Sequence, residues 1–398
     1  MTLFNAQKLY LSAPEVIRDG AERMRLLLSH LGHPERKLNI LPVAGHKGKS
    51  SVVRMLAGML AASGVRSASL ILPLLPTPRD NVFSDDKPLP NEVFIRCTES
   101  VAQAVRAARA EDADAVFSQN ELLFALTLTV AEGNGAKWLI AEIPSGDPLP
   151  MLSLHASSPL AVITSCGAKI PPSALGVIRP ELTEVVSAQL GDRTAYAKIS
   201  AACARAGCRL TVPAFSGLTV SEASIRRTVF IYRQNEYTVP LYGGFALTNA
   251  ICAIETASAL IRHRVPITEK GIREGLLHAA LPGRGTFLSI SPTVIADAAD
   301  DPFSCAALCE LLLQRNPSDA MRLTVCTDGS TDPSPLLRTL TDAGIEIAGC
   351  VPVNMKTAHR SAVALLKEAS PDDVILAFGS LPFAFVMQTE FTRVLCTL

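Results

Sequence analysis

Ile17, Ala21, Met24, Leu28 and Leu31 recur at alternating spacings of four and three, which predicts an amphipathic helix ended by Gly32 and Pro34. Next comes Leu38–Ala44, a short apolar run suited to a buried strand, and after a glycine-containing turn Ser50–Ala62 carries helical spacing up to Gly64. Val65–Leu72, Trp138–Ile143 and Leu160–Ser165 are further strand candidates, with a helix over Glu121–Glu132. Strands alternating with helices predict an α/β domain around a mostly parallel sheet. The proline-rich residues 73–90 are expected to be a long loop. Helical sequence stops at Pro282-Gly-Arg284, and beyond it the alternation restarts. Strands are predicted over 293–296, 322–327, 346–351 and 373–378, and helices over 303–313, 336–343 and 358–369. Two domains are expected, 1–280 and a smaller doubly wound unit over 281–398.

Composition narrows the function classes. Lysine and arginine total 37, as do aspartate and glutamate, which argues against a phosphate-backbone binder. With 48% hydrophobic residues the chain can build sizeable cores, aliphatic ones because aromatics are only 5%. Apolar runs such as Leu122–Ala131 are too short to span a bilayer, and the first residues carry no signal-peptide pattern. A cytoplasmic protein with neither membrane nor nucleic-acid partner is expected. Ten cysteines without a CxxC pair are expected to be buried free thiols, although Cys305 and Cys309 stand one helical turn apart. The seven histidines form no metal-binding pattern.

The strongest chemical signal is Val43-Ala-Gly-His-Lys-Gly-Lys-Ser-Ser51, where a strand runs into a glycine turn that opens a helix. Amides at such a helix start point at an anion, and Lys49 can reach β- and γ-phosphate oxygens. Gly45 and Gly48 let the backbone come close to the phosphates. Val43 stands where a full GxxxxGK[ST] motif has its first glycine, so the loop is the shorter GxxGKxS form. A hydroxyl after the lysine usually holds Mg²⁺, and both Ser50 and Ser51 offer one. Glu142 ends a buried strand, where parallel sheets present ligands, and its carboxylate suits Mg²⁺. His46 reads as a tolerated side chain.

The loop resembles the VAGTNGKGS of folylpolyglutamate synthases, in the Mur ligase superfamily. Met24-Arg-Leu-Leu-Leu-Ser-His-Leu-Gly-His-Pro34 resembles the family's upstream stretch. The resemblance implies a P-loop ATPase domain with a parallel sheet, a C-terminal Rossmann-like domain, and ligation of glutamate to a folate carboxylate. ATP and Mg²⁺ are the implied cofactors, bound in the cleft between the domains. The loop residues Gly45, His46, Lys47, Gly48, Lys49, Ser50 and Ser51 would bind ATP.

Later segments both keep and lose family features. Leu241–Ala250 resembles LxGxHQxxNA, keeping Asn249 on the adenine side, and the family's PGR is intact as Pro282-Gly-Arg284. DGAHNP becomes Asp297-Ala-Ala-Asp-Asp-Pro302, keeping Asp297, which the resemblance implies holds the ribose, while Arg284 would close over the nucleotide. Asp300 and Asp301 replace His and Asn and read as cation ligands or as solvated, helix-capping acids. Ala195-Tyr-Ala-Lys198 aligns with IAxEKAGI, making Lys198 either the family's carbamylated lysine or a surface lysine. The family's SPHL serine is Leu72 here, and its ITxIGxDH signature reads Val162-Ile-Thr-Ser-Cys-Gly-Ala-Lys169, without the metal-binding histidine. EVGLGGRLDATN reads Ala141-Glu-Ile-Pro-Ser-Gly-Asp147, keeping the acidic Glu142 without the double glycine and arginine. An ATP-dependent amide ligase is expected, the alternative being a catalytically impaired nucleotide-binding paralogue that serves a protein partner.

Overall fold

The computed structural model describes residues 1–15, 20–145, 158–166, 169–189, 192–224, 227–240, 244–279, 283–313 and 322–397. Ile17, Asp147, Leu241, Pro282 and the expected 280/281 boundary lie outside them. The chain divides into two compact units, Met1–Leu218 with Thr248–Ala279, and Thr219–Leu247 with Ala280–Leu398.

The first unit begins with helices α1 (Leu3–Leu11) and α2 (Ala21–His30). Strand β1 (Asn39–Ala44) feeds α3 (Lys49–Ala62), and β2 (Ser67–Leu70), β3 (Val82–Ser84) and β4 (Lys87–Pro88) follow. Next come α4 (Asn91–Glu111), α5 (Gln119–Gly133), β5 (Trp138–Glu142), β6 (Leu160–Ile163) and the short α6 (Pro172–Gly176). The sheet closes with β7 (Glu184–Ser187), α7 (Arg193–Ala206) and β8 (Arg209–Thr211). Its order is β4-β3-β2-β5-β1-β6-β7-β8, parallel from β2 to β8. Every residue of β2, β5, β6 and β7 is buried, as expected when helices cover both faces of a parallel sheet.

The expected loop over 73–90 is therefore partly a hairpin, since β3 and β4 pair antiparallel at the sheet edge. Asp85 and Asp86 turn it with φ of 47° and 64°, the left-handed pair that a two-residue hairpin turn requires. Such short strands carry too little alternation to register as a pattern.

Three further strands, β9 (Thr219–Ala223), β10 (Thr228–Tyr232) and β11 (Asn235–Val239), form an antiparallel sheet that the sequence pattern does not predict. Helix α8 (Gly244–Arg262) follows, then α9 (Glu269–Leu277). At 19 residues α8 is long and apolar enough to cross a membrane by length and composition, which corrects the expectation that no segment is. It is 67% buried inside the protein, and Arg262 at its end pairs with Glu184 of β7 at 2.7 Å, as suits a core helix.

The C-terminal strands are β12 (Thr286–Ile290), β13 (Thr293–Asp297), β14 (Leu323–Asp328), β15 (Ile347–Val353) and β16 (Val374–Phe378). They alternate with α10 (Pro302–Leu313), α11 (Ser334–Asp342), α12 (Ala358–Glu368) and α13 (Leu381–Leu395). Their order is β12-β13-β16-β14-β15, with only β12 antiparallel. Two aliphatic clusters, one around Leu323, Val325 and Leu376 and one around Ile375, Met387 and Phe391, form its core.

All ten cysteines are free, and eight are buried. Cys305 and Cys309 donate to the carbonyls of Leu336 and Thr339, tying α10 to α11. Among the described residues no group of three or more His, Cys, Asp or Glu side chains could hold a metal.

Candidate active site

β1 and β5 lie side by side, Val43 opposite Glu142, so the loop after β1 and the end of β5 meet at one edge. The turn between β1 and α3 depends on its two glycines. Gly45 has φ +134°, and a Cβ there would fall 2.2 Å from Thr164 Oγ1. Gly48 has φ +87°, and a Cβ there would fall 2.1 Å from Asn249 Oδ1. Asn249, expected on the nucleotide, thus stands against the loop. The amides of His46 and Lys47 both donate to the Ser165 carbonyl, at 3.0 and 3.3 Å. The α3 ladder starts with Val52 N–H to Gly48 O, so Lys49, Ser50 and Ser51 form the N-terminal turn of the helix, the end that anions favour.

Glu142 is 4% exposed and held by two hydrogen bonds and an ion pair. Ser50 Oγ–H donates to its Oε2 at 2.8 Å, the Leu72 amide donates to the same oxygen at 3.0 Å, and Lys49 Nζ lies 3.8 Å from Oε1. A solvated or capping role for this carboxylate does not fit that burial. Leu72, where the resemblance puts a serine, still touches the site, through its backbone rather than a hydroxyl. Its segment is pinned by the fully buried Asn81, whose amide group donates to Ile71 O and Pro73 O and accepts from Leu75 N–H, each at 2.8 Å.

Of the two serines, Ser50 faces Glu142. Its oxygen and the carboxylate are hard donors of the kind Mg²⁺ takes alongside phosphate oxygens and water. Lys49 donates to His46 O at 3.1 Å and to Ser145 Oγ at 2.9 Å, while Ser145 donates to Gly45 O at 3.0 Å. Burial pushes the neighbouring Cys166 thiol up to about 11, which keeps it from acting as a nucleophile.

Other expected residues stand elsewhere. Lys198 is exposed on α7, which follows β7, two strands from β1, and no described contact of Glu142 involves it. Lys169 is exposed as well. Arg284 and Asp297 belong to the second unit, where Asp297 Oδ2 accepts the Gly285 amide at 2.6 Å. Burial pushes the Asp297 carboxyl up to about 6, against the Arg284 charge and the amides of Gly285 and Ala299. Asp301 accepts the Ser304 amide at 2.7 Å and so caps α10, while Asp300 is exposed. Ser145 and Asn81 were not legible as site residues. The one available signal was that Ser145 lies three positions past Glu142, where a parallel sheet places its ligand loops.

No family model matches the chain. The probable bifunctional folylpolyglutamate synthase/dihydropteroate synthase of Haloferax volcanii is 25% identical over 95% of this chain and 49% of its own length. The folylpolyglutamate synthase of Lacticaseibacillus casei is 24% identical over 76% of this chain and 74% of its own. The chain thus spans about half the length of the first relative and about three-quarters of the second. Among solved structures, a complex of FPGS with AMPPCP and folate superposes with a TM-score of 0.83 over 99% of this chain and 100% of that one, at 22% identity. The Mycobacterium tuberculosis folylpolyglutamate synthase with ADP gives 0.80 over 98% of each chain, at 20%. The chain has the fold of the folylpolyglutamate synthases and is similar to them in sequence.

Proposed function

We propose that the chain is an ATP-dependent ligase of the folylpolyglutamate synthase type, joining the amine of glutamate to a folate-like carboxylate. The observation that carries this is the cluster at the ends of β1 and β5, where Lys49, Ser50 and Glu142 meet at the start of α3. The relatives named as such synthases, and the solved complexes with AMPPCP, ADP and folate, support it. We read residues 1–280 as the ATP-binding part and 281–398 as the ligase part, in a cytoplasmic enzyme acting on small molecules.

Making an amide at neutral pH needs an activated carboxylate, and phosphoryl transfer asks mainly for positioning and charge neutralisation. The amides of Lys49, Ser50 and Ser51 would receive phosphate oxygens, and the Lys49 ammonium would offset charge on the transferring group. Ser50 would offer its oxygen lone pairs to Mg²⁺ while its proton stays directed at Glu142. When bound, the ion would neutralise β- and γ-phosphate oxygens. Asn249 would border the nucleotide beside Gly48.

The test is phosphate release from ATP by the purified chain. Release that requires a folate and glutamate together is expected. Binding of ATP with no release for any folate and glutamate would instead make the chain a nucleotide-binding protein that serves a partner.

A further inference from the structure

Lys49 is only 11% exposed, so its protein neighbours decide where its charge points. Two of them are main-chain or carboxylate groups that any loop of this kind offers, the His46 carbonyl and the Glu142 side chain. Another is the side chain of Ser145, in the segment after β5. Ser145 Oγ accepts from Lys49 Nζ at 2.9 Å and directs its own proton to Gly45 O at 3.0 Å. One hydroxyl therefore links the lysine to the first carbonyl of the phosphate loop, in a chain where each bond polarises the next. The Ser145 carbonyl in turn accepts from the fully buried Ser173 Oγ, at 3.4 Å. The hydroxyl is thus fixed from β5 on one side and from the start of α6 on the other.

A neutral acceptor has a particular effect here. A carboxylate at this position would add a negative charge beside the ammonium, whereas a hydroxyl orients it and adds none. We propose that Ser145 is a positioning residue for Lys49, a neutral tether that aims the ammonium at the β- and γ-phosphates of an incoming nucleotide. This rests on the ATP-binding reading of the loop given above.

The test compares wild type, Ser145→Ala and Ser145→Thr for binding of ATP and AMP by calorimetry, with thermal melting as the check on folding. Lys49 would meet only the β- and γ-phosphates, so an effect exerted through it must spare AMP. Ser145→Ala is expected to weaken ATP about ten-fold, the size of one hydrogen bond to a charged group, and to leave AMP unchanged. Ser145→Thr, which keeps the hydroxyl, is expected to restore ATP binding. Unchanged ATP affinity in Ser145→Ala, or equal weakening of ATP and AMP, overturns the proposal. A wild-type chain that binds no ATP at all overturns the nucleotide reading itself, and the proposal with it.

Discussion

Two carboxylates that end central strands, Glu142 and Asp297, show how placement sets the work a side chain can do. Glu142 at the end of β5 is held from two segments, the start of α3 and the residues after β2, which makes it an anchor for Ser50 and Lys49. Asp297 at the end of β13 accepts the Gly285 amide, but burial outweighs its donors and raises its pKa to about 6. An acid that is easier to protonate folded than unfolded adds stability below its ordinary range near 3.8, and that stability is lost as pH rises through about 6. Unfolding of the C-terminal unit should therefore become easier between about pH 4 and 6. Asp297→Asn should flatten that part of the profile, measured as denaturant midpoints at successive pH values. Parallel profiles for variant and wild type would rule out this source. Glu142 was visible in the sequence because it ends an apolar run, and Asp297 only through the resemblance of its segment to DGAHNP. It left Ser145 and Asn81 invisible, because their importance arises only when loops distant in sequence fold back over Glu142.

At the scale of elements, α3 carries Lys49 and Ser50 at its start and is fixed along its length by α9. The contact is backbone on backbone: a Cβ on Gly275 would fall 2.2 Å from Met59 N, and one on Gly58 would fall 2.9 Å from Gly275 O. Backbone atoms cannot swing aside, so Gly275→Ala should push the helices apart and destabilise the chain by about 1–3 kcal/mol. Gly133, at the end of α5, has nothing within 4 Å of where a Cβ would lie. It is the control, and its alanine variant should be neutral or slightly stabilising. Equal melting temperatures for the two variants would show that the α3–α9 approach has slack. Elements such as α3 and the strands β1, β5 and β6 were legible because each is an apolar run with its own stop signals. The hairpins were not. Arg233 and Gln234 turn β10 into β11 with φ of 49° and 65°, left-handed values held without the glycine or asparagine that usually announces such a turn.

For the whole molecule, the alternation of strand and helix was enough to predict two α/β parts, because each sheet is covered by the helices that connect its own strands. The grouping of residues 219–247 with the C-terminal strands was not foreseeable, since it depends on contacts made after folding. Each unit has its own core, one around Leu123, Phe124 and Leu139, the other around Leu323, Ile375 and Leu376. The phosphate loop and Asn249 belong to the first unit alone. A ligand that binds only the folded form stabilises it by about 2.7 kcal/mol at a hundred times its dissociation constant. For a unit of this size that corresponds to roughly 5–10 °C in melting temperature. Scanning calorimetry of the full chain with saturating ATP and Mg²⁺ should show that shift, and Lys49→Ala should remove it while leaving the ligand-free scan in place. Superimposable wild-type scans with and without nucleotide would mean that the loop between β1 and α3 is a strand-to-helix turn and not a phosphate site.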